Sequence, residues 1–123
     1  MFLAAIGPLA AHTRRVGFAR DFFEAGGVAT LPGPGADDAG AIAEGFRSSG
    51  AALACLCGTD EAYAAQAESF AAALKAAGAV AVYLAGRPGE HEAAWRKAGV
   101  DGFIFLGADL VASLDEVLRR AGA

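Results

Sequence analysis

The stretch that decides the fold is Ala52-Leu53-Ala54-Cys55-Leu56-Cys57-Gly58-Thr59-Asp60-Glu61-Ala62-Tyr63. Its first half is an unbroken apolar run of strand length, ending at Gly58. Thr59 then offers a side-chain oxygen to cap a helix, and Tyr63, Ala67, Phe70 and Leu74 repeat at helical spacing. An apolar strand passing within three residues into an amphipathic helix is half of a strand-helix-strand unit. The same plan can be followed outward in both directions. Strands are expected at Phe2–Ile6, Val28–Leu31, Ala52–Leu56, Val80–Leu84 and Phe103–Leu106, each followed closely by a glycine: Gly7, Gly33, Gly58, Gly86 and Gly107. Helical spacing fills the intervals, as in Val16, Ala19, Phe22, Phe23 and again in Val111, Leu114, Val117, Leu118. Helix ends are expected at Gly26, Gly50, Gly78, Gly99 and Gly122, where a residue tolerant of left-handed backbone closes the last turn. Asp109 is a second candidate cap, and Arg119 and Arg120 suit the negative end of the final helix.

Alternation of this kind, with strands apolar on both faces, implies an α/β fold whose parallel sheet is covered on both sides. Right-handed crossovers then favour a flavodoxin-like, doubly wound, five-stranded sheet of order 2-1-3-4-5. Its ligands bind beyond the carboxyl ends of the strands, where strand order reverses. In this chain that place is the first loop, Gly7–Arg15, together with Gly58–Asp60, flanked by Gly86–Gly89 and Gly107–Asp109.

Composition sets the outer limits. The 123 residues suffice for one domain, 1–123, with one core; 55% are hydrophobic and much of that share is alanine, which suits close helix-on-sheet packing. A net charge of -4 and a pI near 5.0, without a basic block, give no support to nucleic-acid or anionic-membrane binding. No apolar run reaches the roughly 18 residues of a membrane span, and no basic stretch precedes the apolar N-terminus. Cys55 and Cys57 point to one face of an extended strand, a poor geometry for a disulfide; both are expected reduced and the protein cytoplasmic.

Known chemistries of the architecture can be tested against the loops. Gly33-Pro34-Gly35-Ala36-Asp37-Asp38 lacks the third glycine of a dinucleotide fingerprint, and there is no phosphate-binding G-x-x-x-x-G-K-[ST] run. A phosphate-accepting receiver needs acidic residues after the first strand, an aspartate ending the third and a lysine after the fifth. Those places read Gly7-Pro8, Cys57-Gly58 and Gly107-Ala108. No G-x-S-x-G elbow seats a nucleophile.

Single residues remain. His12 could ligate a metal or a corrin cobalt or be a plain loop or cap residue; with His91 distant, no metal cluster is buildable from the two histidines. Arg14, Arg15 and Arg20 could receive a carboxylate or phosphate or simply face solvent. Cys55 and Cys57 could be reactive or inert core thiols. Trp95 could anchor an interface or cover the sheet edge.

Longer strings carry a resemblance. Phe2-Leu3-Ala4-Ala5-Ile6-Gly7-Pro8-Leu9-Ala10-Ala11-His12-Thr13-Arg14-Arg15, Phe22-Phe23-Glu24-Ala25-Gly26-Gly27, Cys55-Leu56-Cys57-Gly58-Thr59-Asp60-Glu61-Ala62-Tyr63 and Ala98-Gly99-Val100-Asp101-Gly102-Phe103-Ile104-Phe105-Leu106-Gly107-Ala108-Asp109 resemble the C-terminal, cobalamin-binding-like domain of the methylmalonyl-CoA mutase small (beta) subunit. The family implies an adenosylcobalamin-dependent isomerase that interconverts methylmalonyl-CoA and succinyl-CoA. Binding members place the histidine of a D-x-H-x-x-G loop under the cobalt, its other ring nitrogen held by the aspartate, with the glycine admitting the cofactor tail. Counted from Gly7, those three positions fall on Leu9, Ala11 and Arg14. His12 is one residue late, and Ala10 stands where its aspartate would be. A long Arg14 side chain is expected to enter the tail channel. The serine-leucine segment after the third strand reads Cys57-Gly58-Thr59, and the paired glycines after the fourth read Ala85-Gly86.

The resemblance therefore implies a degenerate domain that binds no cofactor itself, in a heterodimer whose large (alpha) subunit holds adenosylcobalamin and carries out the isomerisation. A structural or assembly role follows, with neither catalytic nor metal-ligating residues. The alternative is a functional cobalamin-binding module with a non-standard first loop, drawing on His12, Arg14, Gly58, Thr59, Gly86 and Gly107 as cleft positions. The chain opens directly on its first strand, without the substrate-binding barrel of a full mutase subunit, so a domain excised from a longer subunit is expected.

Overall fold

A computed structural model describes residues 1–6, 9–33, 38–87 and 89–105, with side chains at all of these except 9–13 and 32. The elements run β1 (Phe2–Ala5), α1 (Leu9–Ala25), β2 (Leu31–Pro32), α2 (Ala39–Ser49), β3 (Leu53–Cys57), α3 (Asp60–Ala76), β4 (Ala81–Ala85), a 3-10 turn (Gly89–His91), α4 (Glu92–Ala98) and β5 (Gly102–Ile104). The expected last helix, its cap Asp109, Arg119, Arg120, Gly122 and the cleft position Gly107 lie outside the described residues.

The fold is α/β, and β1, β3, β4 and β5 form a parallel sheet in which Leu3 pairs with Cys55, Cys55 with Tyr83 and Tyr83 with Gly102. Two-residue β2 pairs with β1 on its far side through Leu31 and Pro32, so the strands lie in the order β2-β1-β3-β4-β5. Because successive strand residues point to opposite faces, the apolar runs sort into two cores. Phe2, Ala4, Ile6, Ala54, Leu56, Val82 and Leu84 face α2, α3 and α4, where Ile42, Phe46, Tyr63, Phe70, Leu74 and Trp95 cover them. Leu3, Leu53, Cys55, Cys57, Ala81, Tyr83, Ala85 and Ile104 face α1, which buries Ala19, Phe22 and Phe23 against them.

Three boundaries differ from expectation for identifiable reasons. The expected second strand at Val28–Leu31 is displaced to Leu31–Pro32. Val28 donates its amide back to the Phe23 carbonyl (2.9 Å) and so belongs to the closing turn of α1. Gly27, with φ +83°, takes the left-handed position there instead of Gly26. Leu31 and Gly33 donate to the Met1 and Leu3 carbonyls, whereas Pro32, which has no N–H, sits between them with its nitrogen on the open edge.

The second difference concerns the first loop. Gly7–Arg15 is not a loop along its length, since α1 starts at Leu9 and His12, Arg14 and Arg15 are helical. The run Leu9-Ala10-Ala11-His12-Thr13-Arg14-Arg15 contains neither glycine nor proline, and alanine, leucine and arginine favour helix. The third is a cap that composition alone did not single out: Asp38 accepts from the Ala41 amide (3.2 Å) and starts α2. Thr59 caps α3 as expected, accepting from Ala62 (3.1 Å).

Candidate functional site

The strands deliver their carboxyl ends to one side of the sheet. There the backbone beyond β3 and β4 turns away at Gly58 and Gly86, leaving carbonyls and amides that need partners. Tyr63, one turn into α3, supplies them on the β3 side. Only 1% exposed, it accepts from the Gly58 amide (3.0 Å) and donates to the Ala85 carbonyl (2.7 Å), with the Leu56 carbonyl at 3.2 Å. Burial, above all, holds its phenol well above the usual range, so it remains a donor. One hydroxyl thus ties the end of β3 to the end of β4.

Arg15 approaches the same point from α1. Its Nη1 donates to the Ala85 carbonyl (2.6 Å) and its Nη2 pairs with Asp60 (2.9 Å) in the first turn of α3; the guanidinium also lies 5.5 Å from the Tyr63 ring centroid. Partial burial opposes its charge, but the hydrogen bond to Asp60 leads the interactions that outweigh it, and the guanidinium is held above its ordinary value. A cation whose partners are all supplied by its own chain closes the strand ends. Arg14 is instead exposed. The long side chain that reaches the strand ends is Arg15, one position after Arg14.

The glycines and cap of this cleft are explained by packing. A Cβ on Gly58 would stand 3.2 Å from Ile6 Cβ and 3.5 Å from the Tyr63 ring; one on Gly86 would meet Arg15 Nη1 at 2.6 Å and the Tyr63 ring at 3.2 Å. Thr59 spends its hydroxyl on the α3 cap. His12 is placed by its backbone in the first turns of α1, and its side chain lies outside the described residues. Arg20 points outward and meets Asp21 at 3.4 Å.

The other singled-out residues are also resolved by their surroundings. Cys55 and Cys57 are unpaired and fully buried on the α1 side of β3, and burial pushes the Cys55 thiol well above its ordinary value, the opposite of activation. Trp95 is 4% exposed; it meets Tyr63 edge-on and lies tilted over Phe103, covering the sheet beside β5. His91 stacks on its outer side at 4.8 Å. Among the described residues no group of three or more His, Cys, Asp or Glu side chains could hold a metal ion.

Beside the closed strand ends a cavity of about 680 Å³ remains, reaching from Arg14, Arg15 and Phe18 on α1 across Ala85 and Gly86 to Arg87, His91, Trp95 and Phe105. Two residues here had no role assigned from sequence: Tyr63, read only as an apolar position of α3, and Asp60, inside the expected Gly58–Asp60 segment. Their signal was a buried hydroxyl five residues after a strand-end glycine, and an acid in the first turn of the helix facing an arginine-bearing one.

No family profile matches the chain. Individual proteins do. The chain is 50% identical over 122 residues to a methylmalonyl-CoA mutase small subunit from Streptomyces virginiae, covering 99% of this chain and 19% of that protein. It is 38% identical over 124 residues to the small subunit of Propionibacterium freudenreichii subsp. shermanii, again 99% of this chain and 19% of the relative. A probable methylmalonyl-CoA mutase small subunit of Mycobacterium bovis is 34% identical over 125 residues, 100% of this chain and 20% of that protein. The chain thus spans about a fifth of the length of these relatives. Over its own length it is a homologue of one segment of the methylmalonyl-CoA mutase small subunit.

Proposed function

We propose that this domain is a non-catalytic, structural part of a mutase small subunit that assembles with a large subunit, which alone binds adenosylcobalamin and isomerises methylmalonyl-CoA and succinyl-CoA. The observation that carries this is the Arg15 closure: the guanidinium spans the Ala85 carbonyl and Asp60 at the strand ends, where flavodoxin-like sheets take their ligands. The doubly wound, flavodoxin-like assignment with strand order 2-1-3-4-5 belongs to the same proposal. It is supported by the parallel pairings and by helices on both faces of the sheet.

The residues present do not fit a corrin held by a lower axial histidine. Leu9, Ala11 and Arg14 stand at the aspartate, histidine and glycine positions, and α1 has already begun at Leu9, so the flexible loop that a ligating histidine needs is replaced by helix. No step of the isomerisation is therefore assigned to this chain. The two buried, unpaired cysteines support a cytoplasmic setting; none of the described helices is long and apolar enough to cross a membrane.

Two measurements test the proposal. Hydroxocobalamin titrated into the purified chain leaves the corrin absorption unchanged; a saturable shift abolished by His12→Ala would overturn it. A small subunit carrying this domain, co-expressed with a mutase large subunit, copurifies with it, and failure to associate removes the assembly role.

A further inference from the structure

Three groups of different chemistry converge on the Arg15 guanidinium. The Ala85 carbonyl accepts from Nη1 (2.6 Å), the Asp60 carboxylate accepts from Nη2 (2.9 Å), and the Tyr63 ring centroid lies 5.5 Å from the central carbon. A carbonyl, a carboxylate and an aromatic face are the partners that a planar, fork-shaped cation satisfies best. Gly86 keeps the approach open, since a Cβ there would stand 2.6 Å from Nη1.

None of these groups depends on Arg15 for its position. Ala85 ends β4, paired with Ile104 in β5, and the next amide, that of Gly86, donates to the Ile104 carbonyl (2.8 Å). Tyr63 is fixed by the Gly58 amide (3.0 Å) and the Leu56 carbonyl (3.2 Å). Asp60 opens α3 directly after Thr59, whose side chain caps that helix at Ala62 (3.1 Å). Partners held in this way by the sheet and by α3 are preorganised, so little ordering cost is due when a cation enters. Truncating Arg15 also joins this place to the cavity of about 680 Å³ that Arg15 lines, which gives an outside cation a path to it.

We propose that Ala85, Asp60 and Tyr63 form a guanidinium-binding cradle which Arg15 fills as a ligand carried by the chain itself, and that the cradle takes a free alkylguanidinium when that side chain is removed. The proposal rests on the Arg15 closure and not on the assembly role. Arg14 and Arg87 also line the cavity, but the incoming cation only restores the charge that Arg15 carried, so the balance of charge is that of the unaltered chain. In the unaltered chain Arg15 outcompetes a free cation, because a tethered ligand acts at high effective concentration.

The test melts the 123-residue chain and its Arg15→Ala variant in ethylguanidinium chloride, followed by circular dichroism with ionic strength held constant by NaCl. For a Kd on the order of 10 mM, about 50 mM ligand is expected to raise the variant's melting temperature saturably by about 4 °C. The unaltered chain shows no such rise, and neither does Arg20→Ala, whose arginine meets Asp21 on the outer side of α1. Adding Asp60→Asn to Arg15→Ala weakens ethylguanidinium about fivefold. Tetramethylammonium, a cation without N–H donors, and urea, planar but uncharged, give no saturable rise. If Arg15→Ala is unfolded on its own, ethylguanidinium is expected to restore its folded spectrum. The proposal is overturned by a variant that ethylguanidinium neither stabilises nor refolds, by an equal rise in the unaltered chain, by an equal response to tetramethylammonium, or by indifference to Asp60→Asn. The hydroxocobalamin titration reads corrin absorption on the unaltered chain, so an adverse result there strikes the closed-site reading, whereas an adverse result here strikes the cradle alone.

Discussion

Replacing Tyr63 by Phe removes one oxygen from the point where β3, β4 and α3 meet, and the consequences can be worked from its three neighbours. The Gly58 amide, buried, loses its acceptor (3.0 Å). A buried donor left without a partner costs about 1–3 kcal/mol. The Ala85 carbonyl loses a donor at 2.7 Å but keeps Arg15 Nη1 at 2.6 Å. The ring fills the same space, so no cavity opens. Tyr63→Phe is therefore expected to destabilise the fold by about 2 kcal/mol, chiefly through Gly58. For a chain of this size that lowers the melting temperature by roughly 5–10 °C. Arg15→Met alone forfeits a half-exposed ion pair and one charge-assisted bond, while Ala85 is still served by Tyr63; about 1 kcal/mol is expected. The double substitution strips Ala85 of both side-chain donors, so its cost exceeds the sum of the singles by about 1 kcal/mol. Urea unfolding of the four proteins at constant m-value measures the cycle. If Tyr63→Phe costs less than about 0.5 kcal/mol, or if the two substitutions simply add, the hydroxyl does not join the strand ends as described.

Three further outcomes follow from other parts of the molecule. Tyr63 and Cys55 are both held protonated above their ordinary values of 10.0 and 9.0, mainly by burial. Acids with raised folded values contribute stability that is complete below the unfolded value and declines as pH rises toward the folded one. Unfolding free energy should therefore fall with rising pH, beginning near 9.0 with Cys55 and steepening near 10.0 with Tyr63; a slope unchanged in Cys55→Ala and Tyr63→Phe would contradict that origin. Asp101 accepts from the buried Val82 amide (2.9 Å) and from Lys75 (2.8 Å), so Asp101→Ala should cost about 2 kcal/mol by orphaning that amide and Lys75→Ala less than about 1, and denaturant unfolding giving the reverse order would refute the assignment. Since Cys55 and Cys57 are fully buried, a thiol reagent should label them only at the global unfolding rate; labelling that is fast in native buffer would show local opening of β3.

The α/β class and the parallel sheet were legible because β1, β3, β4 and β5 read as apolar runs, and the ends of β3 and β4 also as glycines where the chain turns, Gly58 and Gly86. The second strand was misplaced for a physical reason. Val28, Ala29 and Thr30 carry strand-like side chains, but the amide of Val28 is claimed by the α1 carbonyls before β1 can use it. Capping outcompeted propensity. The Gly7–Arg15 segment was misread as a loop because the strand-end position suggested one, while its residues, without a breaker after Pro8, favoured helix. Tyr63 was recognised only as one apolar position in a helical repeat. A repeat reveals which face is buried but not where a hydroxyl lands, and that landing depends on the register between α3, β3 and β4.

The neighbouring arginines show how closure and an open cavity coexist. Adjacent residues on a helix point about 100° apart, so only one of Arg14 and Arg15 can reach the Ala85 carbonyl. Arg15 does so, and its charge is spent on Asp60 and on backbone. Arg14 is left at the rim, its charge unspent. Substituting Arg14 should therefore alter nothing beyond surface charge. Arg14→Ala leaves the Arg15–Tyr63 coupling intact, whereas Arg15→Met lowers stability through Ala85. An Arg14 substitution that lowered stability as much as Arg15→Met in urea unfolding would show that the closure depends on both residues.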